Sequence, residues 1–170
     1  MIRAFAGSSH RLPPSVGFRP ERDPDEPFLR ALYSSTREKE MALVDWPDEE
    51  KEAFLAMQFE AQHRHYLEHF PEADYLVIEK DGAAVGRIYL HRQSEALRLI
   101  DIALLPEARN MGLGGALLKD LLDEGQASGI PVRIHVEKFN PAMRLYLRLG
   151  FTTVKELGVY ELLEWRPATS

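Results

Sequence analysis

An apolar, strand-like run from Leu99 to Leu105 leads through Pro106 into Arg109-Asn110-Met111-Gly112-Leu113-Gly114-Gly115, and a helix-like run follows at once. A strand, a glycine-rich turn and a helix in that order make an α/β unit whose turn can hold an anion. The first N–H groups of a helix lack intrahelical partners and, with the helix dipole, favour negative charge. Gly112, Gly114 and Gly115 remove side chains that would keep a pyrophosphate from those donors, and Arg109 adds a cationic fork. The turn is not a Walker loop, because Gly114-Gly115-Ala116 stands where Gly-Lys-Ser/Thr would be required. Nor is it the dinucleotide fingerprint, which would need a glycine where Leu117 stands. A plain glycine-rich start to a helix is the competing reading.

The 170 residues suit one domain with a sizeable core, and 45% hydrophobic with 28% charged content is ordinary for a globular chain. We expect a lead-in over residues 1–15, with Gly7-Ser8-Ser9 and Pro13-Pro14, and a single domain over 16–170. The absence of cysteine excludes disulfides, cysteine-based zinc sites and an acyl-cysteine intermediate. A net charge of -6 argues against a broad nucleic-acid footprint, although it leaves room for a local phosphate pocket. No apolar run reaches membrane-spanning length and residues 1–20 lack a secretory signal, so the expectation is a cytoplasmic protein without nucleic-acid or membrane partners.

Periodicity and turn signals organise the rest. Val16 to Arg19 begins a first strand, Asp25 to Thr36 forms a short helix, and a longer helix starts near Asp48, where acidic residues complement its dipole. Tyr75 to Glu79 and Ala83 to His91 form a hairpin through Asp81-Gly82, and Leu97 to Leu105 is the third consecutive strand. A helix over Gly112 to Gln126 is expected to end at Gly125 and Gly129. Val132 to Glu137 is a strand. The next helix has Asn140 as its cap, Pro141 in its first turn and Gly150 at its close. Phe151 to Lys155 and Val159 to Trp165 close the chain. The order is a strand, two helices, three strands, a helix, a strand, a helix and two strands.

Two segments together resemble a known family. Ile102-Ala103-Leu104-Leu105-Pro106-Glu107-Ala108-Arg109-Asn110-Met111-Gly112-Leu113-Gly114 is similar to the Arg/Gln-x-x-Gly-x-Gly/Ala pyrophosphate loop of the GNAT N-acetyltransferase superfamily, although Asn110 replaces a common glycine. Asn140-Pro141-Ala142-Met143-Arg144-Leu145-Tyr146-Leu147-Arg148-Leu149-Gly150-Phe151 is similar to its Asn…Leu-Tyr…Gly-Phe element. The resemblance implies an α/β fold with a mixed, mostly antiparallel sheet flanked by helices, its two central parallel strands splayed to bind acetyl-CoA. It implies transfer of the acetyl group to the primary amine of a small molecule or peptide, with no metal. Homodimers are common in such a family.

Carried onto this chain, the resemblance assigns Ile102, Ala103 and Leu104 to the pantetheine arm, with the Leu104 N–H as donor to the thioester carbonyl. Arg109, Asn110, Met111, Gly112, Leu113, Gly114 and Gly115 hold the pyrophosphate. Asn140 offers an amide to the cofactor arm, or is a helix cap only. Tyr146 touches the cofactor and is the candidate general acid for the departing thiolate, since a phenol near pKa 10 can donate at neutral pH. Asp101 is the leading candidate for general base, with His135 and Glu137 behind it. Strand alternation puts Asp101 with Leu99 and Ala103, opposite Ile100, Ile102 and Leu104. Trp46, Phe54 and Gln58 are expected to line the acceptor side. His65 and His69, with His63 near, read as a polar helix face rather than a metal site. A non-catalytic coenzyme A-binding module and a nucleotide-type phosphate fold are the alternatives.

Overall fold

The computed structural model describes residues 11–169. The lead-in expected over 1–15 therefore lies, for 1–10, outside the described residues. From there Arg11 is ion-paired to Asp120 at 3.0 Å and to Asp123, and Leu12 packs against the core.

The elements are β1 (Val16–Pro20), α1 (Glu26–Thr36), α2 (Glu38–Ala42), α3 (Asp48–His69), β2 (Asp74–Lys80), β3 (Ala83–Arg92), β4 (Leu97–Leu104), α4 (Leu113–Ser128), β5 (Val132–Glu137), α5 (Met143–Arg148), β6 (Thr152–Leu157) and β7 (Tyr160–Trp165). Asp81 and Gly82, at φ 53° and 80°, make the tight turn between β2 and β3 that their sequence calls for. The short α2 was not legible in the apolar pattern because it buries no residue. The expectation that Gly125 helps to end α4 is corrected. The helix runs through it to Ser128, and Gly129 at φ 71° is the cap. A Cβ on Gly125 would lie 3.0 Å from the Ile130 carbonyl and 3.0 Å from the Trp165 ring, so this glycine marks close packing of helix on sheet.

The seven strands are ordered β1-β2-β3-β4-β5-β7-β6, and only β4 and β5 run parallel. Leu113, Leu117, Leu118, Leu121 and Leu122 of α4 bury an apolar face against Ile88, Leu90, Leu97, Leu99, Val132 and Ile134. Full burial of each such leucine contributes about 1.5–3 kcal/mol. The other face of the sheet lies under α1 and α3, which share a smaller apolar cluster of Leu29, Tyr33, Leu55 and Phe59.

An irregularity in the ladder between β3 and β4 changes the site. Tyr89 faces Asp101 and Leu90 faces Leu99, so Ile100 is an extra residue without an opposite number. A bulge of this kind inverts the alternation beyond it. Leu97, Leu99, Ile102 and Leu104 accordingly meet the α4 side, whereas Asp101 turns to the α3 side with Arg87 and Tyr89. The expected placement of Asp101 on the same face as Leu99 is thereby overturned, while its placement opposite Ile102 and Leu104 holds.

Candidate active site

The parallel ladder between β4 and β5 holds for three pairs only, Leu97 with Val132, Arg98 with Arg133 and Leu99 with Ile134. Beyond them each strand keeps its outer neighbour, β4 pairing with β3 through Leu104 and β5 with β7 through Glu137, so the two part and leave a gap. The Leu105 N–H donates to the Val85 carbonyl at 2.8 Å, on the β3 side. Backbone groups alternate along a strand, and those of Leu104 and Ile102 therefore aim into the gap.

The turn after β4 presents a second set of donors. Asn110 at φ 61° and Gly112 at φ 78° bend it through left-handed conformations, which asparagine and glycine tolerate best. None of the N–H groups of residues 110–115 bonds to a backbone carbonyl of the described residues, and the first to do so is that of Ala116, donating to Gly112 at 3.0 Å. Six successive donors at the start of a sixteen-residue helix fit a pyrophosphate. Arg109 is turned elsewhere, with Nε donating to the Leu104 carbonyl at 2.9 Å and a terminal nitrogen to Ser35 Oγ at 3.2 Å. It thus fastens the turn to β4 and to α1. Glycine is also required on β3, where a Cβ at Gly86 would come within 2.4 Å of the Ala103 carbonyl.

Asn140 accepts the Ala142 N–H on Oδ1 at 2.8 Å in a turn that precedes α5, so the expectation of Asn140 as the cap with Pro141 in the first turn is corrected: the helix starts at Met143 with Ala142 at its N-cap. Its amide N–H groups donate to no group of the described residues. Tyr146 of α5, 3% exposed, belongs to the main core and packs edge-on against Phe151. Its hydroxyl makes no hydrogen bond to a described residue. Burial, with the charge of Asp101 second, pushes the phenol up and keeps it protonated through the neutral range.

On the α3 side three ionic pairs converge. Asp101 is ion-paired to Arg87, which also donates to Gln62 at 2.9 Å and lies over the Tyr89 ring. Arg87 is 3% exposed; burial opposes its charge and the Asp101 carboxylate restores it, leaving the pKa raised. Glu137 accepts from Arg37 at 3.2 Å, and Glu164 from Arg133 at 2.7 Å. His135 stands between Arg133 and Glu137 on the same face of β5 and has no hydrogen bond or ion pair among the described residues. The Tyr66 phenol, on α3, is pushed up by burial and then by Asp101, which places it in the same field. Of the expected acceptor-side residues, Trp46 and Phe54 stack edge to face at 5.3 Å, and Gln58 accepts from Tyr33 at 3.3 Å.

A cavity of about 650 Å³ between the β1–α1 turn and α3 is separate from the gap. Glu21 in its wall already accepts from Tyr89, and Glu26 and Glu60 from Arg30. No group of three or more His, Asp or Glu among the described residues could hold a metal ion. His65 and His69 stack on each other at 4.0 Å. No helix of the described residues is long and apolar enough to cross a membrane.

Residues 28–151 match the family model for the acetyltransferase (GNAT) family. The chain belongs to the GNAT acetyltransferase family. It is 34% identical over 89 residues to a Bacillus subtilis protein named as a ribosomal protein bS18-alanine N-acetyltransferase, a match spanning 51% of this chain and 58% of that protein, under two thirds of its length. It is 31% identical to an N-alpha-acetyltransferase of Sulfurisphaera tokodaii, across 62% of this chain and 74% of that one. In fold it is similar to the PaiA N-acetyltransferase of Thermoplasma acidophilum solved in complex with coenzyme A. That superposition has a TM-score of 0.65 at 18% identity and covers 89% of this chain and 99% of the other. In this fold Leu104 and residues 110–115 lie at the end of β4 and in the turn that follows it, Asn140 precedes α5, Tyr146 lies on α5, and Asp101 lies on the α3 side of β4. Sequence reasoning missed Arg87, Gln62, Tyr66 and Arg37 there. Arg87 alternates with Tyr89 opposite Asp101, a pairing visible only once the bulged register is known.

Proposed function

We propose that the protein moves the acetyl group of acetyl-CoA to a primary amine, on a small molecule or a peptide, by direct attack within a ternary complex. The observation that carries this reading is the gap between β4 and β5 opening beside six N–H groups that have no backbone partner among the described residues. Acetyl-CoA supplies the activated thioester. The N–H groups of residues 110–115 hold its pyrophosphate, and the backbone of Ile102, Ala103 and Leu104 lies along its arm, with Asn140 offering an amide. The Leu104 N–H stabilises negative charge developing on the carbonyl oxygen. Tyr146, protonated and with a free hydroxyl, gives a proton to the leaving sulfur. Asp101, Glu137, His135 and Tyr66 face the amine from the α3 side. With no cysteine in the chain, no thiol is available to carry the acetyl group. The names of the two relatives favour the α-amine of a peptide.

The test is release of free thiol from acetyl-CoA across an alanine-led peptide, a polyamine and a free amino acid. Acceptor-dependent turnover is expected, and Tyr146→Phe lowers kcat about a hundredfold or more while the acetyl-CoA Kd stays within about threefold. Tight acetyl-CoA binding without turnover on any acceptor, unaltered in Tyr146→Phe, would instead support a non-catalytic coenzyme A-binding module. Recovery of stoichiometric acetyl-enzyme after acetyl-CoA alone, competent to pass the group on, would refute direct attack.

A further inference from the structure

The geometry points to an anion subsite made by Arg98 and Arg133 beside the gap, which takes a carboxylate carried by the amine acceptor. The inference rests on the acetyl-transfer reading above and names the chemistry of its acceptor. Arg98 and Arg133 are register partners in the parallel ladder, one step before its last pair. Leu97 and Leu99 on one strand, and Val132 and Ile134 on the other, belong to the core on the α4 side, so alternation turns both arginines to the α3 side. The Arg98 guanidinium lies there over the ring of Phe70, which ends α3, at 5.5 Å. Asp101 and His135 stand further along the same face, where the two strands have parted.

Charge is out of balance at this point of the sheet. His91, Arg98, Arg133 and Glu164 form one row across β3, β4, β5 and β7. Its one carboxylate is already shared, since Glu164 accepts from Arg133 at 2.7 Å and is ion-paired to Arg166 at 2.6 Å. Arg98 is left over. Every other arginine withdrawn from solvent among the described residues donates to a carboxylate, an amide or a carbonyl oxygen, whereas Arg98 donates to none and its Nε is buried without a partner. Burial, and then the charge of Arg133, pull the Arg98 guanidinium down from its ordinary range, as for a cation with nothing to offset it. Like charges opposite each other in a sheet are destabilising, and a carboxylate between the two guanidinium forks relieves both. The Arg133 side chain, 35% exposed, leaves the approach open to solvent.

Spacing selects how the carboxylate is carried. A strand advances about 3.3 Å per residue, so Arg133 lies about 7 Å from His135, the first β5 residue beyond the ladder. A peptide whose α-amine reaches the gap brings the side chain of its second or third residue into that range. The α-carboxylate of a free amino acid sits too near its own amine, and only a side-chain carboxylate such as that of glutamate extends toward Arg98. Both sources, an acidic residue of a peptide and a free acidic amino acid, present the same group to the two arginines.

The experiment measures kcat/KM by thiol release for matched acceptors: alanine-led peptides with glutamate or glutamine at the second or third position, and free glutamate against free glutamine. The wild type is expected to prefer glutamate by about tenfold or more in at least one matched pair. A preference among the peptides assigns a peptide acceptor, and one confined to the free amino acids assigns a small acceptor. Arg98→Gln and Arg98→Met bring the glutamate-to-glutamine ratio to within about twofold of one, chiefly through KM and whatever their absolute rates. A purely structural role for Arg98 would lower every acceptor together and leave the ratio standing. No preference for glutamate in the wild type, or a preference that survives in both variants, overturns the subsite and leaves the acetyl-transfer reading in place. A wild type that acetylates none of these amines, nor those tested above, overturns that reading and this one with it.

Discussion

Gly86→Ala tests the geometry of the gap through a residue that never touches a ligand. Gly86 lies on β3 directly opposite Leu104, and a Cβ placed there meets the Ala103 carbonyl oxygen at 2.4 Å and the Leu104 side chain at 2.7 Å. Ordinary contact begins near 3.4 Å, so the end of β4 must retreat by close to an ångström. The obstacle is backbone, and it cannot rotate aside. Overpacking of this kind costs about 1–3 kcal/mol. In a chain of this size that lowers the melting temperature by roughly 2–12 °C. The displaced segment carries the Leu104 N–H, and a misplacement of about 1 Å can cost about a hundredfold in rate.

Gly115→Ala is the paired control, since a Cβ there meets nothing within 4 Å. Alanine in a helix is better than glycine by about 1 kcal/mol. Thermal melts should therefore move in opposite directions for the two alanines, and thiol-release kinetics should show the loss of kcat in Gly86→Ala. A Gly86→Ala protein that melts with the wild type and keeps its kcat would refute the pairing of Gly86 with Leu104, and with it the position assigned to the gap.

Two further outcomes follow from the charged pairs. Removing Asp101 alone strands a buried Arg87, so Asp101→Leu should cost about 3–5 kcal/mol in urea unfolding, and adding Arg87→Met should recover most of that; a double variant no more stable than Asp101→Leu would contradict the ion pair. Asp25 receives two bonds from Arg19, at 2.7 and 2.8 Å, and these with the Arg22 N–H hold its carboxyl down at about 2 from 3.8. A lowered folded-state pKa gives stability that is complete above the unfolded value and disappears as pH falls through the folded one. Asp25→Asn should thus cost about 2 kcal/mol at neutral pH, with the difference from wild type closing between pH 4 and 2; a gap that persists at pH 2 would exclude this cause.

Local signals made much of the fold legible. Asp81-Gly82, the Pro106 stop and the glycines after Arg109 each act within a few residues, and the structure has a turn or helix end at each; Asn140 makes a turn instead of the cap. What stayed hidden depends on contacts distant in sequence. The bulge at Ile100 is a property of the β3–β4 ladder, and it reversed the face assigned to Asp101. The small residue at Gly125 is required by Trp165, forty positions away, although glycine near a helix end reads locally as a stop. Arg87 is an unremarkable strand residue until its partner is known. Within the site the donors on the turn were readable because they are backbone groups. The side-chain pairs on the α3 side were not, since they depend on which arginine each carboxylate meets.

The gap depends on the one parallel pair inside an otherwise antiparallel sheet. An antiparallel ladder continued past Leu99 would satisfy the backbone of Ile102 and Leu104 and seal the two faces from each other. Parallel strands that part after three pairs leave the N–H groups of Ile102 and Leu104 aimed into the gap and join the faces at one point. The bulge then matters chemically, because it sends Asp101 to the α3 side while Leu104 stays in register with the α4 side. Tyr146 enters from the α5 side, close enough for the Asp101 charge to act on its phenol. An amine arriving from the α3 side and a thiolate leaving toward Tyr146 would exchange protons with different groups on opposite faces. Neither group would then compete for the other's proton, which a single shared acid–base residue could not avoid.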